Sequence, residues 1–373
     1  MKKWILALGL TTTLLNSNAI DSASVQNLAP RTIDILEKAV QSVVFIANEY
    51  SPYERAYGEG NSFFYNFCWY FYEAIWPTTY GSGSGFLISD DGYIVTNDHV
   101  VDGTTKMMVA MRTPQLRVCR AKVVGTDSRC DVALLKVEAV EGKPYPFLKF
   151  ADSNKVRIGD QAYLIGNPIS HRYESSLSSG VISSVDRPST HMCPIEGFMQ
   201  FDASSNSGAS GGPLLDKNGD VIGVNSRGVG YLDAGINFAV TSNVAKKVVK
   251  QFMKSGEAKQ GYLGVTIKKK TENAFEQFYF EHTDGALIYE VLDDTPAKAA
   301  GLQKDDLIIA IDGTPVAGSR ILTTLISTHP PETTITLTIL RDGQEIEKSI
   351  MLTENQYAKA YLNYAMYGYM LTL

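Results

Sequence analysis

The chain has 373 residues, of which 44% are apolar and 20% charged. That is enough for two to three domains with real cores, and it excludes disordered, collagen-like and polytopic membrane chains. Lys and Arg total 34 against 40 Asp and Glu, a net charge of −6, so no basic domain emerges and the balance argues against nucleic acid as the main partner.

Residues 1–19 read as a secretory signal peptide. Lys2 and Lys3 give a positive start, Trp4 to Leu15 an apolar stretch, and Ser17-Asn18-Ala19 the small residues of a cleavage site. The stretch falls short of the roughly 20 apolar residues of a spanning helix. Export brings Cys68, Cys119, Cys130 and Cys193 into an oxidising compartment, where disulfides and buried thiols are both open readings. Their spacing fits no zinc pattern, and no metal or cofactor is implied.

Residues 33–42 are amphipathic and predict a short helix, and Val43-Val44-Phe45-Ile46 starts a strand. Residues 50–80 hold 13 of the 38 Phe, Trp and Tyr residues without a period of 2 or 3.6. They read either as an irregular loop over the core or, favoured by the concentration of aromatics, as an insert that packs on another subunit or screens a cleft. From Gly81 to Val240 short apolar runs recur: Gly85 to Ile88, Tyr93 to Val95, Met107 to Ala110, Val132 to Val137, Ala162 to Ile165 and Val221 to Val224. Asp90-Asp91-Gly92 and Lys217-Asn218-Gly219 are hairpin-type turns, and the pattern is that of a mainly β sandwich or barrel. A helix follows over 243–254, ended by Gly256, with the connector Ala258-Lys259-Gln260. From Gly261 to Leu352 a second unit mixes β runs with helical stretches at 296–301 and 318–327, an α+β pattern. In the tail 356–373, Tyr357, Tyr361, Tyr364 and Tyr367 stand at helical spacing, as core packing would have it.

Gly208-Ala209-Ser210-Gly211-Gly212 is the strongest chemical signal. Glycines around a serine let the backbone turn sharply, expose the hydroxyl and aim N–H groups at a developing oxyanion. The same residues fit a bland Gly-rich turn and the GxSxG elbow of α/β-hydrolases. Chain order separates the enzyme readings, because an α/β-hydrolase runs Ser, acid, His. After Ser210 the histidines are His282 and His329, both in the second unit; before it stand His99, His171 and His191. His99 ends an apolar strand and Asp131 heads another, giving the order His99, Asp131, Ser210 of chymotrypsin on a β framework.

With these residues in view, the chain resembles the HtrA/Deg (protease Do) family. The resemblance is carried by Gly83-Ser-Gly-Phe-Leu-Ile-Ser-Asp-Asp-Gly-Tyr-Ile-Val-Thr-Asn-Asp-His-Val-Val101, Asp131-Val-Ala-Leu-Leu-Lys136, Ile165-Gly-Asn-Pro168, Gln200 to Ala203, Gly208 to Leu214 and Gly235 to Val240. It implies a chymotrypsin-like double β-barrel protease domain over 20–256, followed by one PDZ domain over 257–355 and a tail over 356–373. In the second unit, Tyr262-Leu263-Gly264-Val265 looks like the loop that binds a peptide's terminal carboxylate while the peptide adds a strand.

The resemblance further implies a catalytic set of His99, Asp131 and Ser210, with the backbone N–H groups of Gly208 and Ser210 as oxyanion hole. Trypsin-like enzymes select Lys and Arg with an Asp about six residues before the serine. Ser204 and Ser205 stand there instead, so a small or medium apolar P1 residue is expected. Two departures concern the approach to the nucleophile: Ala209 replaces the usual Asn, and Ser207 replaces a φ-locking Pro. The implied protein is an exported, ATP-independent serine endopeptidase acting on misfolded envelope proteins, periplasmic if the source is Gram-negative, with or without chaperone activity. Its implied partners are unfolded polypeptides, C-terminal peptides in the PDZ groove, and copies of itself in a trimer or a multiple of one. The alternatives are a non-catalytic chaperone or adaptor on the same scaffold, and a site-specific stress-signalling protease gated by C-terminal peptides. The terminal Met370-Leu-Thr-Leu373 is itself a candidate PDZ ligand.

Overall fold

The computed structural model describes residues 29–50, 79–113, 115–138, 144–167, 176–187, 193, 195, 197–228, 235–267 and 285–354. The signal peptide, most of the aromatic segment, Cys68 and the tail from 356 on lie outside the described residues.

Helix α1 (Ala29–Val40) presents Leu36 and Ala39 to the core, and the chain then turns through Ser42, whose N–H takes the Ala39 carbonyl at 2.9 Å. Six strands follow: β1 (Val43–Tyr50), β2 (Thr79–Leu87), β3 (Tyr93–Thr96), β4 (Lys106–Thr113), β5 (Gln115–Asp127) and β6 (Val132–Val137). They close into a barrel in the order β1-β2-β3-β6-β5-β4, with a one-turn helix α2 (Asp98–Val101) after β3. Six more, β7 (Gln161–Gly166), β8 (Ser176–Arg187), β9 (Phe198–Phe201), β10 (Pro213–Leu215), β11 (Val221–Gly228) and β12 (Asn237–Thr241), close a second barrel as β10-β11-β12-β9-β8-β7. The sequence pattern left sandwich and barrel open; the closed order settles it.

Strand β6 shows why the apolar runs read continuously. Its alternate residues Ala133, Leu135 and Val137 fill the first barrel, while Val132 and Leu134 join the cluster shared with the second barrel and the following helix. Both faces are buried, so no polar alternation survives. Strands β5 and β8 are among those the runs did not single out. Strand β5 carries Arg117, Arg120 and Lys122 and exposes Leu116, Val118 and Val123, and β8 is rich in serine; neither keeps a clean period of two.

Helix α3 (Ser242–Ser255) lays Val244, Ala245, Val248, Val249 and Phe252 against the barrels as one stripe. Gly256 ends it in the left-handed region (φ +75°), its N–H on the Phe252 carbonyl at 2.8 Å. A Cβ on Gly125 of β5 would lie 2.4 Å from Phe252 Cδ1, so the helix sits directly on the strand.

In the second unit, β13 (Gly261–Tyr262) pairs with β20 (Thr353–Glu354). The main sheet runs β14 (Val265–Ile267), β15 (Ala286–Val291), β16 (Leu307–Ile311), β18 (Thr334–Arg341), β19 (Gln344–Met351), with β17 (Thr314–Pro315) on β16. Helices α4 (Pro296–Ala299) and α5 (Ser319–Thr328) cover a separate core of Leu263, Ile288, Ile308, Leu322, Ile326 and Leu337. Strand β14 forms one edge of this sheet.

Candidate active site

Three turns converge between the barrels. The first follows β3: Asn97 is fully buried and donates from Nδ2 to the Asp131 carbonyl at 2.9 Å, which brings α2 and His99 onto the head of β6. The second joins β5 to β6. Arg129 grips Asp127 through Nε and Nη2, both at 2.6 Å, and Asp131 leaves the turn at φ +57°, a conformation Asp tolerates better than bulkier residues. Arg129 Nη2 also donates to the Ala258 carbonyl at 2.7 Å, so the turn that presents Asp131 is tied to the connector between the two units.

The third turn carries Ser210. Gly208 and Gly211 take φ values of +92° and +84°. A Cβ on Gly211 would lie 2.1 Å from the Ser84 carbonyl oxygen and 2.3 Å from Thr96 Oγ1, so only glycine fits there. The Ala209 carbonyl accepts from Gly212 N–H at 3.0 Å and from Asn225 Nδ2 at 2.9 Å. With that carbonyl held inward, the N–H on the other side of the planar peptide, that of Ser210, faces outward. Among the described residues neither Gly208 N–H nor Ser210 N–H has a partner.

Asp131 is nearly buried and its carboxylate accepts from three donors. His99 Nδ1 stands 2.9 Å from each carboxylate oxygen, His99 N–H is 3.1 Å from Oδ1, and Ser226 Oγ donates to Oδ2 at 2.5 Å. Burial alone would raise this carboxyl, but the His99 ring, the Ser226 hydroxyl and the His99 N–H outweigh it and hold it below the ordinary value. The Ser210 hydroxyl points to the Ser226 carbonyl at 2.8 Å, and no hydrogen bond joins it to His99 among the described contacts. Ser226 therefore touches both ends of the set. The sequence reading missed it, and missed Asn225. Their only signal is a polar pair closing the apolar run that starts at Val221.

Asp98, half-buried beside Asp131, has its carboxyl raised to about 6, first by burial and then by the charges of Asp131 and Asp102, against a hydrogen bond from Thr126. Its folded value lies above the unfolded 3.8, so the fold holds this proton tightly and loses stability as pH rises from about 4 to about 6. Asp98→Asn is expected to stabilise the protein by about 1 kcal/mol at neutral pH, after discounting for solvent screening of a partly exposed group, and to be neutral near pH 4. Urea titrations of both proteins at the two pH values measure this, and an equal difference at both would refute it.

The other expected site residues are placed as follows. Ser204 is exposed and its carbonyl accepts from Ser178 Oγ at 2.7 Å. The Ser205 hydroxyl accepts from Asn225 Nδ2 at 3.0 Å and so backs the Ser210 turn. In the second unit, Tyr262 lies in β13, and Leu263 and Gly264 lead into Val265 at the head of edge strand β14. The Leu263 and Gly264 carbonyls are held by Ala297 N–H (2.9 Å) and Leu292 N–H (3.0 Å), while the N–H groups of Leu263 and Gly264 have no partner among the described residues. Gly264 has φ +88°, and a Cβ there would lie 2.1 Å from Thr295 Cβ. Cys119 and Cys130 are free thiols. Among the described residues no His, Cys, Asp and Glu group is arranged to hold a metal, and no helix is long and apolar enough to cross a membrane.

Comparison with known proteins gives the same two units. The trypsin-like peptidase domain family matches residues 83–224, and the PDZ domain family matches residues 261–352. A "Probable periplasmic serine endoprotease DegP-like" from Chlamydia trachomatis is 40% identical over 276 residues, covering 73% of this chain and 54% of that protein. One of the same name from a Marinomonas species is 35% identical over 347 residues, covering 87% of this chain and 71% of that protein. The chain thus spans about half the length of the chlamydial relatives it matches. Among solved structures, the HtrA-type protease AlgW with a tripeptide superposes with a TM-score of 0.63 at 27% identity, over 87% of this chain and 97% of that one. A serine endoprotease from Yersinia pestis does so at 0.53 and 28%, over the same shares.

Proposed function

Because the chain belongs to the DegP-like family of HtrA-type serine endoproteases, we propose that it is itself a serine endopeptidase acting on unfolded polypeptides outside the cytoplasm. The observation that carries this is the pairing of a clamped His99–Asp131 with a serine on a glycine turn flanked by two unpartnered N–H groups. Ser210 Oγ leaves the Ser226 carbonyl, turns to His99 Nε2 and attacks the scissile carbonyl as His99 takes its proton. The carbonyl oxygen gains charge between Gly208 N–H and Ser210 N–H. His99, held by Asp131 with its proton on Nδ1, then passes the new proton to the leaving amine. Water repeats the sequence on the acyl ester and frees the acid.

Around this chemistry the proposal places a small or medium apolar P1 residue near Ser204 and Ser205, since no carboxylate stands there. An apolar C-terminal peptide adds to edge strand β14, its carboxylate on the N–H groups of Leu263 and Gly264. The relatives' printed name supports export to a periplasm; the proposal adds misfolded envelope proteins as substrates and assembly as a trimer or a multiple of one. Gating by such peptides is favoured by one observation: the Ser210 hydroxyl rests on Ser226, away from His99.

The test is a fluorophosphonate probe and an unfolded casein, each with and without an apolar C-terminal peptide. The expected result is a label on the peptide containing Ser210 and apolar residues before the cuts, both faster with the peptide. No label and no cleavage in either condition would leave a chaperone or adaptor on this scaffold. Equal rates in both would remove the gating.

A further inference from the structure

Ser84 lies in the Gly83-Ser84-Gly85 stretch of β2, in the barrel opposite the nucleophile, and takes no part in the reaction as described so far. It is fully buried, every polar group it has is partnered, and its two donors both go to the Ser210 turn. Its hydroxyl donates to the Gly208 carbonyl at 2.7 Å and accepts from Asn167 N–H at 2.8 Å. Its own N–H donates to the Ser210 carbonyl at 2.8 Å, and its carbonyl accepts from Thr96 Oγ1 at 2.7 Å.

We propose that Ser84 is a positioning residue that sets the Gly208 oxyanion donor, so that the oxyanion hole is complete only when the first barrel is docked on the second. This rests on the reading of Gly208 and Ser210 N–H as that hole. The two donors are held differently. Ser210 N–H is aimed by Asn225, which pins the Ala209 carbonyl from within the second barrel. Gly208 N–H belongs to the peptide before, whose direction follows from the torsions at Gly208. A glycine at φ +92° has no side chain to hold those torsions. What holds them is the next peptide, whose carbonyl takes the Ser84 hydroxyl and whose N–H, that of Ala209, takes the Asn206 carbonyl at 2.9 Å. The second of these contacts is local to the loop. The first crosses between barrels and is the one a departure at this loop must respect: with Ser207 in place of a proline, the backbone before Gly208 lacks a ring to lock it.

The experiment compares the full chain with Ser84→Ala and Ser84→Cys, using a fluorogenic peptide cleaved by the wild type and a peptide aldehyde of the same sequence. The aldehyde forms a hemiacetal with Ser210 Oγ whose oxygen occupies the oxyanion position, and a matching peptide amide that cannot do so is the control. Removing an oxyanion donor outright costs roughly 10²–10³ in kcat, so misaiming one is expected to cost about 10- to 100-fold. KM and amide affinity stay within about twofold, the aldehyde weakens by the same factor as kcat, and Ser84→Cys, a weaker donor of similar size, falls between. A general loss of packing would instead weaken amide and aldehyde together. If Ser84→Ala does not fold, Ser84→Cys carries the comparison alone. Values of kcat within threefold of wild type in the folded variants overturn the inference. Ser210→Ala run alongside separates the two levels: cleavage that persists in that variant, or a wild type that cleaves nothing, overturns the reading of the site and the inference with it.

Discussion

Ser210→Ala is expected to lower kcat on a cleavable peptide by about 10⁶-fold, leaving the fold and substrate binding in place. The size follows from what is removed. The other parts of the set act on the serine oxygen, so without it His99 and Asp131 have no proton to move, and only binding and the oxyanion hole remain. The cost to the fold is small. The hydroxyl makes one hydrogen bond, to the Ser226 carbonyl, in a half-exposed place, and losing such a bond costs about 1 kcal/mol. The turn itself is held by Gly208, Gly211, Asn225 and Ser84, none of which needs the Ser210 side chain. Steady-state kinetics, thermal unfolding and binding of unfolded casein by the variant read the three parts separately. Cleavage within 10²-fold of wild type, with a mass spectrum confirming the substitution, would place the nucleophile elsewhere.

The residues proposed as catalytic could be singled out because each announces itself locally. Ser210 sits among glycines that open space cannot explain, since Gly211 and Gly212 would both drive a Cβ into backbone oxygens. His99 and Asp131 each stand where an apolar run meets a turn. The barrels were legible in part, through strands such as β6 whose two faces are both buried. What supports the site was not legible, for a physical reason. Ser84 meets Gly208 across 124 residues, and Ser226 meets Asp131 across 95, and neither carries a local pattern. A serine inside a strand reads as a weak surface position until closure of the barrels shows what it faces. The same holds for Arg129, whose hydrogen bond to the Ala258 carbonyl spans 129 residues and appears only once α3 has laid the connector beside β5.

Asp131→Asn is expected to lower kcat by roughly 10⁴-fold with KM little changed. Three donors converge on this carboxylate: His99 Nδ1–H, His99 N–H and the Ser226 hydroxyl. A carboxylate is acceptor only and satisfies all three. An asparagine of the same shape offers one oxygen and one NH₂. If its oxygen stays with His99 N–H at the Oδ1 position, the NH₂ faces Ser226, whose hydroxyl can rotate to accept, and the ring of His99 must share that single oxygen. If the oxygen stays with Ser226, the NH₂ faces His99, and the ring meets it by moving its proton to Nε2. In that tautomer Nε2 cannot accept the Ser210 proton, and the charge that stabilises the imidazolium in the transition state is gone in either case. Asp131 also contributes stability through its lowered carboxyl, present above the unfolded value of 3.8 and lost as pH falls through the folded one. The asparagine variant lacks that dependence, so its stability should decline less than the wild type's on acidification below about pH 4. Kinetics on the fluorogenic peptide and urea titrations across that range test both halves. A kcat within tenfold of wild type would show that another group orients His99, and an unchanged acid limb of stability would show that the Asp131 carboxyl is not held low by its three donors.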